Sequence, residues 1–221
     1  MSQELLIDIQ SLIWYPNSPS LVFDRFNFQL YKDDFCFIVK SGIGKTTLVK
    51  FLMRDLIPPK KMIFFKQEDL ARLSTNEVQR YRRKIGVVFQ DYKLIPHKTA
   101  YENIIYPLQI MGEDIGAHHS YVMELLKEVL EHQDKLITHM SGEKQRVAIA
   151  RSLATKPEFV IADEPTGNLD WNTSIKIADM LIDLNRKNTI LFITHDQRLI
   201  EYINQQHPTK QFELISPSYT P

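Results

Sequence analysis

The chain has 221 residues with 27 basic and 27 acidic side chains, one cysteine and seven glycines. That length can bury a core without disulfides or metal staples. A formal net charge of zero leaves no global field to draw the chain to nucleic acid or anionic lipid, so any such contact must be local. Cys36 sits in the apolar run Phe35-Cys36-Phe37-Ile38, the setting of an inert buried thiol, and no apolar run approaches the ~20 residues of a membrane-spanning helix.

Short β-type runs come first, at 5–9, 21–30 and 35–39, with turn chemistry at Tyr15-Pro16-Asn17-Ser18-Pro19 between the first two. They predict a small antiparallel sheet feeding a first core strand. A helix follows over 45–54, with Leu48, Phe51 and Leu52 on one side and Pro58-Pro59 as its stop, and then a strand over 62–65. The basic stretch 76–84 reads either as a solvated helix face or as a docking surface, ahead of a strand over 85–90. Residues 91–155 are mostly helical in pattern, with Val122, Leu125, Leu126, Val129 and Leu130 as a core stripe. Strands return at 159–162 and 189–193 around a helix over 172–184, a rhythm that predicts a parallel sheet with crossover helices.

Two segments carry the chemistry. Ser41-Gly42-Ile43-Gly44-Lys45-Thr46-Thr47 follows an apolar strand and opens a helix, which is the pattern of a phosphate-binding turn. Inward backbone donors and the helix N-terminus supply positive potential. Lys45 would reach the β and γ phosphates, and the Thr46 hydroxyl would ligate Mg²⁺. Asp163 and Glu164 are adjacent carboxylates at the end of the strand over 159–162, one suited to Mg²⁺ and the other to polarising a water for attack on phosphate. His195 ends the next strand and would project at the same sheet edge, towards the γ phosphate. Together these residues imply a nucleotide hydrolase.

At this point the chain resembles, over essentially its whole length, the ATPase subunits of ABC transporters. Gln90 matches the Q-loop, Ser141-Gly142-Glu143-Lys144-Gln145-Arg146 the signature motif, and Asn168-Leu169-Asp170 the D-loop. The resemblance implies an α/β P-loop NTPase core with a mostly parallel sheet, an N-terminal antiparallel β subdomain and an inserted α-helical subdomain. The whole of 1–221 is then a single domain, with 1–90 and 156–221 as the nucleotide-binding core and 91–155 as the helical, signature-bearing part. It also implies ATP and Mg²⁺ as cofactors. Tyr15 takes the place of the aromatic that stacks on adenine; Ser41, Gly42, Gly44, Lys45, Thr46 and Thr47 hold phosphates; Thr46, Gln90 and Asp163 hold the metal; Glu164, His195 and Lys45 are catalytic.

Family members form ATP-dependent, head-to-tail homodimers, so Ser141 and Gly142 would touch the γ phosphate bound by the other subunit. No nucleic-acid partner is expected. Within the family, the stretch 82–108 resembles most the cell-division, FtsE-like subgroup. That implies an FtsX-like integral membrane protein docked near Gln90 and the helical subdomain, a place on the cytoplasmic face of the inner membrane held through that partner, and activation of cell-wall hydrolases as the work done. ATPases of lipoprotein release and macrolide efflux share much of this stretch and are the alternative.

The chain departs from the family pattern in its glycines. Val39 stands where the phosphate loop places glycine five residues before Gly44, and one glycine between Val39 and Lys40 would restore the spacing. Only Gly142 separates Ser141 from Glu143, where the family has two glycines. A third candidate gap lies between Lys66 and Gln67, where relatives carry a turn glycine. Seven glycines are roughly 3% of the chain against an average near 7%. A one-residue deletion displaces backbone donors by up to ~3.5 Å, beyond what a hydrogen bond tolerates. Two origins stay open: a stop codon reassigned to glycine and passed over in reading the gene, or divergence into a weakened ATPase, at its limit a docking module without turnover.

Overall fold

The computed structural model describes residues 3–15, 22–39, 44–129, 141–185, 188–206 and 210–213. Its centre is a five-stranded, wholly parallel sheet in the order β6 (Ile85–Val88), β7 (Phe159–Asp163), β8 (Thr189–Thr194), β3 (Phe35–Val39), β9 (Lys210–Glu213). Continuous apolar runs build β3, β7 and β8 because both of their faces are covered. Successive residues serve opposite cores: Phe37, Val160, Ile190 and Phe192 face one, and Cys36, Ile161, Leu191 and Ile193 face the other.

The second core lies under an antiparallel sheet in the order β2 (Phe23–Tyr31), β1 (Leu5–Trp14), β4 (Ile63–Phe65), β5 (Glu68–Asp69), together with helix α1 (Gly44–Leu52). The first core is roofed by α3 (Ala100–Met111), α4 (Ile115–Val129), α5 (Ser141–Leu153), α6 (Trp171–Asn185) and α7 (Gln197–Gln206). Of the expected helical stripe, Val122, Leu125 and Leu126 are buried; Leu130 and the Val129 side chain lie outside the described residues. Cys36 is buried as expected. Helix α2 (Thr75–Arg82) opens on a reciprocal capping box between Ser74 and Glu77, and α3 on the same device between Thr99 and Glu102.

One local expectation needs correction. Helix α1 ends at Leu52, two residues before the expected Arg54: Asp55 N–H bonds the Lys50 carbonyl at 2.9 Å and Arg54 N–H that of Phe51 at 3.0 Å, with Arg54 in the left-handed region at φ +58°. This is a Schellman closure with arginine where glycine is usual. The hairpin between β4 and β5 carries the third candidate gap, and it is closed by two residues held at positive φ. Phe65 pairs directly with Glu68, so Lys66 and Gln67 alone make the turn, at φ +46° and +70°. A two-residue turn with both φ positive is one that Asn-Gly normally fills.

Candidate functional site

Strands β7, β8 and β3 are neighbours, so their carboxyl ends bring Glu164, His195 and the start of α1 to one edge of the sheet. Lys45, the second residue of α1, is buried and forms an ion pair with Glu164 Oε1. The same oxygen lies 2.7 Å from Nδ1 of His195. His195 keeps 61% of its side chain exposed while Glu164 keeps 11%, so the histidine is the group of this pair that faces outward.

Backbone constraints fix the carboxylate. Glu164 sits at φ +47°, a strained value for a residue with a Cβ, and its N–H is tied to the Ile193 carbonyl at 2.9 Å. Burial alone would raise its carboxyl; the Lys45 hydrogen bond and His195 outweigh this and hold it below the ordinary carboxylate value. Asp163 behaves in the opposite way. Burial first, and then the neighbouring Glu164 charge, push its carboxyl up against a smaller opposing pull from Lys45. Two adjacent carboxylates thus share one cation, an arrangement in which Asp163 gains from a further positive charge.

Gln90, just after β6, is exposed and lies against the segment that follows Glu164. Asn168 donates from Nδ2 to the Gln90 carbonyl at 3.0 Å, and the Gln90 side chain lies over Gly167, where a Cβ would sit 2.9 Å from its Nε2 and displace the end of that side chain. Thr46 is exposed and Gly44 and Thr47 are half-buried at the start of α1. Ser41 and Gly42 lie outside the described residues, as does Lys40 beside the proposed glycine insertion. Tyr15, just past β1, is 57% exposed. Ser141 and Gly142 begin α5, and Gly142 packs on Thr173 of α6. Among the described residues, no hydrogen bond or ion pair joins Ser141 or Gly142 to Lys45, Glu164 or His195.

A cavity of about 490 Å³ adjoins Glu164 and His195 and extends to Trp171 and Arg198. The Arg198 guanidinium lies 4.5 Å from the centre of the Trp171 ring. Neither residue stands out in the sequence, because the starts of α6 and α7 bring them together only in the folded chain. Thr194 was also passed over; it is buried, and its Oγ1 accepts from the Asp196 N–H at 3.1 Å, shaping the turn that carries His195.

A family model described as ABC transporter matches residues 23–167. The chain belongs to the ABC transporter ATP-binding family. This ABC ATPase is 37% identical over 197 residues to the cell division ATP-binding protein FtsE of Bacillus subtilis, covering 87% of this chain and 86% of that one. Among solved structures it is similar to cbiO1 of Clostridium perfringens, part of an ABC transporter complex, with TM-score 0.82, 25% identity and coverage of 91% and 82%. It is also similar to MJ0796, a bacterial ABC transporter cassette solved as a dimer, with TM-score 0.75, 29% identity and coverage of 89% and 91%. The ABC ATPase fold explains why the strand-end residues converge, and the enzyme class is ATPase. Among the described residues, no helix of this ABC ATPase is long and apolar enough to cross a membrane.

Proposed function

We propose that this ABC ATPase is the FtsE-like subunit of a bacterial division complex, turning ATP hydrolysis into work on a membrane partner that activates cell-wall hydrolases. The observation that supports the reading best is the convergence of Lys45, Glu164 and His195 on one oxygen at the sheet edge. In this reading Lys45 leaves Glu164 when nucleotide enters and takes the β and γ phosphates, freeing the Glu164 carboxylate to accept a proton from the attacking water. His195, exposed and held by Glu164, contacts the γ phosphate. Tyr15 stacks on adenine, and Ser41, Gly42, Gly44 and Thr47 line the phosphates.

The residues fit a magnesium ion. Asp163, Thr46 and Gln90 offer a carboxylate, a hydroxyl and an amide oxygen, a hard-donor set of the kind Mg²⁺ takes alongside phosphate and water. Burial first, and then the adjacent Glu164 charge, raise the Asp163 carboxyl, and a cation beside it would favour its charged form. When bound, the ion would neutralise charge on the phosphates. The subunits pair head to tail, with Ser141 and Gly142 of each facing the ATP of the other. The partner is an FtsX-like integral membrane protein that docks near Gln90 and holds the chain at the inner membrane face. Asn168 then links the docking side to the segment that carries Glu164.

Copurification tests the reading. The chain, expressed with its own organism's FtsX-like membrane protein and separately with a lipoprotein-release or macrolide-exporter membrane protein, should be retained by the first. Retention by the exporter protein alone would replace the division assignment with an export role.

A further inference from the structure

Helix α5 is held differently at its two ends. At the far end Arg151 donates to the backbone carbonyls of Lys93 and Tyr92, at 2.5 and 2.7 Å, and the Tyr121 hydroxyl donates to the Leu153 carbonyl at 3.2 Å. These bonds tie the last turn to α4 and to the segment after Gln90. At the start of the helix Gly142 lies against α6, where a Cβ would sit 2.7 Å from the Thr173 methyl. Thr173 is in turn fixed by Asp170, whose carboxylate oxygens accept from the Thr173 N–H at 3.0 Å and from its hydroxyl at 2.7 Å. A run of contacts thus leads from Gly142 through Thr173 to Asp170. From there two backbone turns, Leu169 N–H to the Thr166 carbonyl at 3.0 Å and Gly167 N–H to that of Glu164 at 3.1 Å, lead to Glu164.

Three residues after Gly142, on the same side of the helix, stands Gln145. It is fully buried, and neither its Oε1 nor its Nε2 has a hydrogen-bond partner among the described residues. The other buried amides behave otherwise. Asn103 donates to the carbonyls of Ile95, Lys98 and Thr99 and accepts from the Ile95 N–H, and Asn185 donates to the carbonyls of Asp34 and Asn188. An amide shut away from water without partners is unfavourable, and a rearrangement that pairs it is favoured by the same amount.

We propose that Gln145 is a positioning residue for the ATP-bound pair of subunits: its amide, unpartnered in the single chain, gains hydrogen bonds when the start of α5 shifts against α6 and carries Ser141 and Gly142 onto the ATP of the other subunit. This rests on the reading that the subunits pair head to tail across ATP, and adds a residue that favours the paired pose. The far end of α5, held by Arg151, stays in place while the near end moves. Because Thr173 bears on Gly142 and is bonded to Asp170, the same shift reaches the segment that carries Glu164. An apolar side chain of similar size loses the preference, since it removes the two unpaired groups from the single chain and gains no hydrogen bond on pairing.

The test measures two quantities in the Glu164→Gln background, which holds ATP without turnover: the melting temperature without nucleotide and, by sedimentation, the affinity of ATP-driven dimerisation. The parent is compared with Gln145→Leu and with Gln145→Met. Circular dichroism confirms folding, and either variant alone decides the outcome. Each should melt at or above the parent without nucleotide and dimerise with ATP roughly tenfold or more weakly. An amide that merely supports the fold gives the opposite sign in the melt, so a lower melting temperature overturns the inference. Dimerisation as tight as the parent's also overturns it and leaves ATP-driven pairing standing. Absence of a dimer from the parent, with or without glycine after Val39 and after Gly142, overturns both.

Discussion

Glu164 Oε1 lies 2.7 Å from His195 Nδ1 and is at the same time paired with the Lys45 ammonium. On the proposed mechanism the candidate base is therefore engaged by the cation that would bind the phosphates. Glu164→Gln removes the negative charge that competes for Lys45, so this variant should hold ATP at least as tightly as the wild type. Its turnover should drop by about 10²–10⁴-fold, the usual contribution of a positioned base. Equilibrium binding of ATP and single-turnover phosphate release separate the two effects. Full turnover in the variant would remove Glu164 from the role.

His195→Ala should lower kcat with little change in KM, because the ring is largely exposed and ordered by Glu164 rather than by the core. Steady-state kinetics on the variant check this. A raised KM at unchanged kcat would make His195 a ground-state binding contact instead.

Acid stability follows from the same carboxylate. The Glu164 carboxyl is held below its ordinary value of 4.5 in the folded chain. Its contribution is thus complete above about pH 4.5 and is lost as pH falls through the lower folded value, where the native state must take up the proton. Thermal melts across this acid range should show a steeper fall in Tm for the wild type than for Glu164→Gln. Parallel curves would mean that the ion pair adds no net stability.

Truncating a large side chain in the sheet's first core should carry a high cost. Phe37 is fully buried and meets Phe35 and Phe192 edge-on, with ring centres 5.4 and 5.3 Å apart. Phe37→Ala should destabilise the chain by about 3–5 kcal/mol in a denaturant titration. A loss below 1 kcal/mol would show that the site collapses around the void, against the close packing seen here.

The parts of this molecule legible from sequence are those where local pattern and tertiary role agree. Strand 159–162 is apolar on both faces because both faces are buried, and Asp163 and Glu164 mark its end. The capping residues Ser74 and Thr99, by contrast, were not singled out although they carry the usual signature. Helix α7 was missed because its buried residues Leu199, Ile200 and Ile203 are only three in a polar stretch. The tie between Asn168 and Gln90 spans 78 residues, and no local pattern reports it. The α1 terminus was misplaced because the chain closes it with Arg54 in a conformation for which the sequence reading looks for glycine. The same scarcity of glycine shows at Lys66 and Gln67, which make a two-residue turn at positive φ where glycine is usual.

The central claim is that these strand-end residues hydrolyse ATP, and Mg-ATP turnover tests it most directly. The purified chain is compared with a version carrying glycine after Val39 and after Gly142, each with its Glu164→Gln counterpart, alone and with the FtsX-like protein. The account predicts phosphate release that rises on restoring the two glycines and disappears in both Glu164→Gln forms. Absence of turnover in both chains even with the membrane protein present, or turnover indifferent to Glu164, would contradict it, the first outcome leaving a docking subunit in its place.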